Sequence, residues 1–531
     1  MIQSTDGVLL ELSKTTLGIE LGSTRIKAVL ITLDSKVVAS GSYEWENTFE
    51  DGLWTYRLDD AIKGVQLAFA NLADNVKLQY GQRLTTVGAI GISGMMHGYL
   101  PLDENGNQLA PFLTWRNTNT GKAADELTEL FQYNIPLRWS IAHLYNNVLL
   151  KSEHLCRLSY ITTLAGYIHY LLSGNKVIGI GDASGMFPID FSICNYDAHC
   201  LQQFNNLIAD RNYDWDIEDV LPEVLVAGQN AGTLTASGAK LLDPTGTLQP
   251  GIPMAPPEGD AATGMVATHS VGIGSGNISA GTSVFAMVVL KQKLRKLYRD
   301  IDVVTTPTGN PVAMVHCNNG TSEIDAWVRL FEEIINLTGK SCDFSDLYTK
   351  LYLKSLEGDP RCDGILLYNL ISGEHTLGLN EGRPLLTRRP DSNFNIANFM
   401  RSQIYATIAP LALGMQILAN EDVQVQHLTG HGGLFKTPGV AQYYLSAATG
   451  SAVTVMSTAG EGGPYGMAVL AAYMLDSHDM TFTEYLDKLV FSKVESTTIT
   501  ATEEDKQAFA TYLSQYKSVL PAVDVAIHHL K

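Results

Sequence analysis

Basic residues are scarce in this chain. Its 531 residues include 55 aspartates and glutamates but only 36 lysines and arginines, for a formal net charge of −19. The most basic run, Lys291 to Arg299, is short and reads as a solvated loop. A nucleic-acid binder needs an extended cationic footprint that displaces counterions, so no nucleic acid is expected as a partner. Long apolar runs are also missing. No stretch approaches the uninterrupted length of a spanning helix, and no membrane partner is expected. Met1-Ile2-Gln3-Ser4-Thr5-Asp6 lacks the basic, apolar, small-residue order of a secretory leader, which points to the cytoplasm. The cysteines form no Cys-x-x-Cys pair, and Cys194 and Cys200 flank His199 at a spacing that fits no zinc knuckle. Reduced structural thiols are expected. Nowhere does Gly-x-x-x-x-Gly-Lys-Ser/Thr occur, and no strand opens on a convincing Gly-x-Gly-x-x-Gly, which excludes the P-loop and the dinucleotide fingerprint.

What the chain does have is a turn used twice. Leu17-Gly18-Ile19-Glu20-Leu21-Gly22-Ser23-Thr24 leads into the apolar run Ile26 to Ile31, and Ile278-Ser279-Ala280-Gly281-Thr282-Ser283 leads into Val284 to Leu290. Each reads as strand, glycine-and-hydroxyl turn, strand. Glycine lets backbone approach an anion, and successive N–H groups and hydroxyls can then point at phosphate oxygens. The two glycines lie 281 − 22 = 259 positions apart, about half the chain. A chain of this length exceeds one ordinary core, so the repeat suggests two related lobes closing on one nucleotide. At 45% hydrophobic and 17% charged residues the composition is that of a globular and not a disordered chain, and the expected α/β class rests on the order of elements.

Element order follows the repeat. The pattern predicts strands over Leu17–Leu21, Arg25–Leu33 and Val37–Glu44, then a helix with Ile62, Val65, Phe69 and Leu72 on one face, then a strand from Val87 into Ser93-Gly94. In the second half, strands are expected at Gly276–Ala280, Val284–Leu290 and Val312–Val315. A helix follows from about Thr321 with Ile324, Trp327, Phe331 and Ile334 on its buried side. Beyond it come a long helix over Ile396–Leu418 kinked by Pro410, a strand over Val423–Leu428 and a buried helix over Tyr465–Leu475. The Pro/Gly-rich segment Pro244 to Gly274 marks the division, giving domains 1–265 and 266–531.

Four clusters carry candidate chemistry. In Pro257-Glu258-Gly259-Asp260-Ala261-Ala262, small neighbours leave a ligand room to reach Asp260, whose carboxylate would accept a hydroxyl proton. As a helix N-cap it would need no ligand, and spacing alone favours the cap. Met96-His97-Gly98 follows a strand end, where ligands gather in α/β sheets; a satisfied buried histidine is an equally good reading. Trp115-Arg116-Asn117-Thr118-Asn119 offers polar groups to a sugar or is a turn. Gly430-His431-Gly432-Gly433 and Gly460 to Pro464 present bare backbone suited to a flat base, or are ordinary glycine loops.

In this order the segments resemble the FGGY carbohydrate kinases, a branch of the actin-like ATPase superfamily, over nearly the whole chain. Leu17–Lys27 and Gly281-Thr282-Ser283 look like the family's two phosphate motifs. Met96-His97-Gly98 is similar to the sugar loop of its xylulokinases, and Gly259-Asp260 to the segment holding its catalytic aspartate. Asp182-Ala183-Ser184 and Ser372-Gly373-Glu374 match further signatures, and Gly430–Thr437 with Gly460–Ala468 the adenosine region. The resemblance implies two RNase H-like (actin-like ATPase) domains with a cleft between them, and an ATP-dependent kinase acting on the terminal hydroxyl of a ketopentose, D-xylulose first and L-ribulose next. It implies Asp260 as catalytic base, Met96, His97, Trp115 and Asn117 with Asp260 at the sugar, and Gly22, Ser23, Thr24, Gly281, Thr282, Gly432 and Gly433 at ATP. Glu20 would be at Mg²⁺, and a homodimer is common in the family. An actin-like assembly protein and a sugar-binding regulator without turnover are the rivals. Three departures stand out. Glu20 replaces an aspartate, Asn117 and Asn119 stand where an aspartate and an arginine are usual, and His375 takes an arginine's place.

Overall fold

Leu17, Ile19 and Leu21 alternate along one strand and Ile26, Ala28 and Leu30 along the next, and all six are fully buried. Val29 and Ile31 are buried on the opposite side, so this hairpin is covered on both faces, as its nearly continuous apolar run requires. The computed structural model describes residues 9–458, 460 and 462–530. The chain forms two compact units. One takes the chain up to Val271 plus Asp302–Val312 and Glu461–Val494; the other takes Gly272–Ile301, Ala313–Gly460 and Glu495–Lys531. The first crossing thus falls just after the expected division at 265/266, but the chain returns twice to the first unit, which contiguous domains do not describe.

In the first unit β1 (Thr15–Leu21), β2 (Arg25–Thr32), β3 (Val37–Glu44), β4 (Ala89–Gly94) and β5 (Glu258–Gly259) form a sheet in the order β5-β4-β1-β2-β3. β1 pairs antiparallel with β2 and parallel with β4, and β5 runs parallel with β4. The C-terminal ends of β1, β4 and β5 therefore lie side by side. Helix α1 (Leu58–Tyr80) buries Val65, Phe69 and Leu72 and ends on the left-handed Gly81, whose N–H bonds the Lys77 carbonyl. α2 (Asp260–Ala267) starts directly from β5. The helix Gly462–Leu475 lies on β1 so closely that a Cβ on Gly18 would come 2.0 Å from the Pro464 carbonyl oxygen.

The second unit repeats the plan with β6 (Ser275–Ala280), β7 (Val284–Val289), β8 (Pro311–Cys317), β9 (His427–His431), β10 (Ala452–Met456) and β11 (Ser496–Ile499), ordered β8-β7-β6-β9-β10-β11. β6 is antiparallel to β7 and parallel to β9, as β1 is to β2 and β4. Pairing with β6 sets β9 at His427–His431, later than the expected Val423–Leu428. Of α3 (Ser322–Leu337) only Ile324 and Val328 are fully buried. Ile334, expected inside, is half exposed, whereas Phe331 one turn earlier still packs on Phe399. The long helix α4 (Ile396–Asn420) runs on through Pro410 and is buried nearly all round. Among the described residues it is the one helix long and apolar enough to cross a membrane, and 78% of its most apolar stretch is buried inside the protein.

Candidate active site

The parallel strands of the first unit deliver three polar residues to one edge. Glu20 on β1 is level with Ser93 on β4, and Ser93 is level with Glu258 on β5. One residue beyond β5, Asp260 opens α2. Gly259 is the helix cap, so Asp260 is the first helical residue, not the N-cap that its spacing favours. Its Oδ1 accepts the Met96 N–H at 3.2 Å, which ties the carboxylate to the loop leaving β4. Loss of water around the Asp260 carboxyl raises its pKa to about 6, against the pull of that N–H. The Ser93 and Thr263 hydroxyls meet at 3.0 Å beneath it.

Glu20 reaches the same place from β1. Burial first, then the Asp260 charge, push its pKa up to about 8, while Lys27 across the hairpin pulls it down. Gly463 makes room for the longer side chain: a Cβ there would lie 1.5 Å from Glu20 Oε2. Local sequence gave no sign of this role, because it depends on a helix more than 400 positions away. Among the described residues no hydrogen-bond donor of the protein reaches the Glu20 carboxylate, and no cluster of three or more His, Cys, Asp or Glu side chains is placed to hold a metal.

The Met96–Gly98 loop turns through two left-handed residues, His97 at φ 69° and Gly98 at φ 93°. Gly98 is required, since a Cβ would stand 2.4 Å from the Leu113 carbonyl oxygen. His97 is buried, stacks on Trp139 with ring centroids 6.4 Å apart, and sets Nδ1 3.3 Å from the Gly185 carbonyl. Burial, then the positive Arg138, hold its pKa well below the ordinary value, so the ring is neutral. The Gly22–Thr24 turn is gripped by side chains: Trp45 Nε1–H donates to Gly22 O at 2.7 Å and Tyr56 O–H to Ser23 O at 2.6 Å. Trp115, partly exposed, brings Nε1 to 3.4 Å from Ser23 Oγ. Asn117 faces inward. Its Nδ2 donates to Trp54 O at 2.7 Å and Thr114 O at 3.1 Å, and its Oδ1 accepts the Trp54 N–H at 2.9 Å. Its amide clamps the neighbouring hairpin and has no hydrogen left to offer a sugar. A separate cavity of about 430 Å³ lies on the first unit beside Tyr56, Arg57 and Gln108, and none of the sequence-predicted site residues lines it.

Buried carboxyls add to the site. Glu258 and Asp182 are almost without exposure, and both are raised to about 8, chiefly by burial, with the Asp182 charge adding to the rise at Glu258 and the Asp260 charge to that at Asp182. Sequence reasoning quoted both residues inside motifs and gave neither a role.

In the second unit the two predicted nucleotide loops are neighbours, because β6 and β9 run parallel and each ends in one. Gly281 follows β6, and a Cβ there would meet only open space. Gly432 follows β9 at φ 101°, with its missing Cβ 2.6 Å from the Ala280 carbonyl oxygen. Gly433 continues the turn and Thr282 completes the β6–β7 corner, where its carbonyl accepts the Gly320 N–H at 2.8 Å.

Residues 15–267 match the N-terminal domain, and residues 276–475 the C-terminal domain, of the FGGY family of carbohydrate kinases. A xylulose kinase of Lactococcus lactis subsp. lactis is 24% identical over 233 residues, 42% of this chain and 44% of the relative, so the match spans less than half the relative's length. One of Haemophilus influenzae is 22% identical over 478 residues, 84% of this chain and 91% of that protein. Two solved structures from Lactobacillus acidophilus, a xylulose kinase and a gluconate kinase, each align with TM-score 0.79 at 14% identity, over 97% of this chain and 100% and 99% of theirs. At that identity the likeness shows the fold alone.

Proposed function

Because the chain belongs to the FGGY family of carbohydrate kinases, we propose that it transfers the γ-phosphoryl group of ATP to the terminal hydroxyl of a ketopentose, with D-xylulose the leading substrate. The observation that carries this reading is Asp260, a carboxylate at the parallel strand ends, bonded to the Met96–His97 loop and held near pKa 6. A base with that pKa is ionised at neutral pH and still basic enough to take a hydroxyl proton as transfer proceeds. His97 supports it. With its Nδ1 hydrogen on the Gly185 carbonyl, the neutral ring keeps Nε2 as an acceptor for a second sugar hydroxyl. Met96 closes the loop beside the base, and Trp115 offers an apolar face next to Ser23.

Backbone N–H groups and hydroxyls of Gly22-Ser23-Thr24 and Gly281-Thr282 suit phosphate oxygens, and Gly432-Gly433 leave bare backbone for adenine. Mg²⁺ is the usual companion of a transferred phosphate. Glu20 is the residue that would hold it, since its carboxyl is crowded by that of Asp260 and meets no donor among the described residues, which suits a divalent cation that takes its other ligands from water and phosphate. When bound, the ion supplies neutralisation of phosphate charge. L-Ribulose is the second reading, favoured by the inward-facing Asn117, which leaves the Trp115 segment short of a free amide.

A coupled assay across ketopentoses, ketohexoses, polyols and aldonates tests the proposal. ADP release should rise sharply with a ketopentose and stay low without sugar, because wasteful hydrolysis is suppressed until the acceptor excludes water. An ATPase rate indifferent to every sugar overturns the kinase reading, and filaments that sediment only with ATP would favour an assembly protein.

A further inference from the structure

Two glycines near the proposed base have no room for a side chain, and one residue fills both spaces. The three atoms nearest a Cβ on Gly179 would all be Glu258's, with Cδ and Oε1 at 2.4 Å and Cγ at 2.8 Å. On Gly181 it would meet Glu258 Oε2 at 2.4 Å and Ala262 Cβ at 2.7 Å. Gly179 has φ −70°, a conformation open to any residue, so packing and not backbone strain demands glycine there. The carboxyl that takes this space is 2% exposed and satisfies the turn it displaces: Oε1 accepts the Gly181 N–H at 3.3 Å and Oε2 the Asp182 N–H at 3.0 Å.

From there the bonds run in a closed circuit. Asp182 O accepts the Gly185 N–H at 3.0 Å, and Gly185 O lies 3.3 Å from His97 Nδ1. Next to His97, the Met96 N–H donates to Asp260 at 3.2 Å, and Asp260 is two residues from Glu258. Asp182 supports the same corner. Its Oδ2 accepts the Thr163 hydroxyl at 2.6 Å, while its Oδ1, with no partner among the described residues, would lie 3.2 Å from a Cβ on Gly259. The Asp260 carboxylate and the His97 ring are thus both linked to the corner that Glu258 holds.

We infer that Glu258 is a positioning residue for phosphoryl transfer: seated between Gly179 and Gly181, it fixes the angle at which Asp260 and His97 meet the sugar. The inference rests on the reading of Asp260 as base. Misplacing a reacting group by about 1 Å costs about 10²-fold in rate, so Glu258→Ala should lower kcat by about that factor and leave the KM for ATP unchanged. Gly179→Asp alone, driven into Glu258, should be impaired as well. In Gly179→Asp/Glu258→Ala the space is vacated and a carboxylate re-enters from the opposite side, so kcat should recover by about tenfold over Glu258→Ala, a positive coupling between touching sites. Glu258→Gln, which keeps the volume but turns an amide toward one of the two N–H donors, should fall between wild type and Glu258→Ala. Thermal unfolding of each variant corrects for the folded fraction, and Glu258→Gln carries the test should Glu258→Ala not fold.

Two results would overturn the inference: variants that melt earlier yet keep wild-type kcat per folded molecule, or a double variant no better than its parents. Wild-type protein that phosphorylates no sugar, or Asp260→Asn with undiminished turnover, would instead remove the base assignment and this inference with it.

Discussion

The β1–β2 hairpin and the β6–β7 hairpin are the same device with different chemistry attached. Each joins antiparallel strands through a glycine-and-hydroxyl turn, and in each the first strand runs parallel to a later one. Two residues before the glycine, the first has Glu20 and the second Ser279. Indole and phenol groups of Trp45 and Tyr56 grip the first turn. Among the described residues backbone grips the second: Gly320 N–H on Thr282 O at 2.8 Å and Thr321 N–H on Gly281 O at 2.9 Å, with Gly320 too close to Gly281 O for any side chain. The parallel strand ends extend the contrast, with Glu20, Ser93 and Asp260 in one unit and Gly281, Gly432 and Gly433 in the other. A shared backbone plan therefore carries different surfaces, carboxyl and hydroxyl groups at the strand ends of the first unit and side-chain-free backbone at those of the second, which under the proposed function would divide proton transfer from nucleotide binding.

The sharpest way to break that division is Asp260→Asn. If proton transfer belongs to the first unit alone, kcat should fall by about 10²–10⁴-fold while the KM for ATP holds. Wild-type kcat should also decline below about pH 6, where Asp260 takes up its proton. Steady-state kinetics against pH read both, and a rise in the KM for ATP as the main effect would move Asp260 into nucleotide binding.

Next in size is a difference in stability. Asp182 and Glu258 stay protonated in the folded first unit up to about pH 8, while the unfolded chain sheds those protons in the ordinary carboxylate range. The folded state binds more protons across that window, so stability falls as pH rises through it. Each pH unit crossed in that window costs up to about 1.4 kcal/mol for each group that stays protonated only in the fold, so the loss grows steadily between pH 5 and pH 8. Calorimetry should show the first unit's transition moving down in temperature over that range, and Asp182→Asn should flatten the slope. A transition indifferent to pH would mean these carboxyls are ionised in the fold.

Much of this was legible in the sequence. The two turns and the flanking strands follow from the alternating apolar residues on β1 and β2, and the start of a helix near Asp260 follows from an acid between a glycine and small residues, though spacing favoured it as the cap and the cap is Gly259. Other features follow from approach between distant segments, which local pattern does not record. Gly463 yields to Glu20, and Gly179 and Gly181 yield to Glu258, only once strands and helices are packed. Asn117 looked like a ligand for sugar because its side chain is polar, but its partners are the Trp54 backbone on a hairpin more than 60 positions away. Ile334 had the right period for a core but is left half exposed.

Gly432→Ala probes the second unit's side of the contrast. At φ 101°, with Ala280 O in the way, alanine should cost about 1–3 kcal/mol, visible as a raised KM for ATP at unchanged sugar KM. Gly22→Ala is the matched control. Gly22 is not left-handed, and its Cβ would meet Arg25 O at 3.0 Å, so the milder crowding should be felt less.

Smallest is the effect of Trp45→Phe, and it separates the two grips most cleanly. Phenylalanine keeps a ring against Tyr56, whose centroid lies 4.3 Å from that of Trp45, and removes only the N–H that holds Gly22 O. Loss of one such bond is worth about 1 kcal/mol. The first unit should melt slightly earlier, the second should not move, and the KM for ATP should rise modestly if the Gly22 turn meets phosphate. No side-chain deletion can do the same to the Gly281 turn, because its partners are peptide groups. An unchanged KM with a lowered melting temperature would therefore restrict phosphate contact to the second hairpin and make the first a support for Glu20 alone.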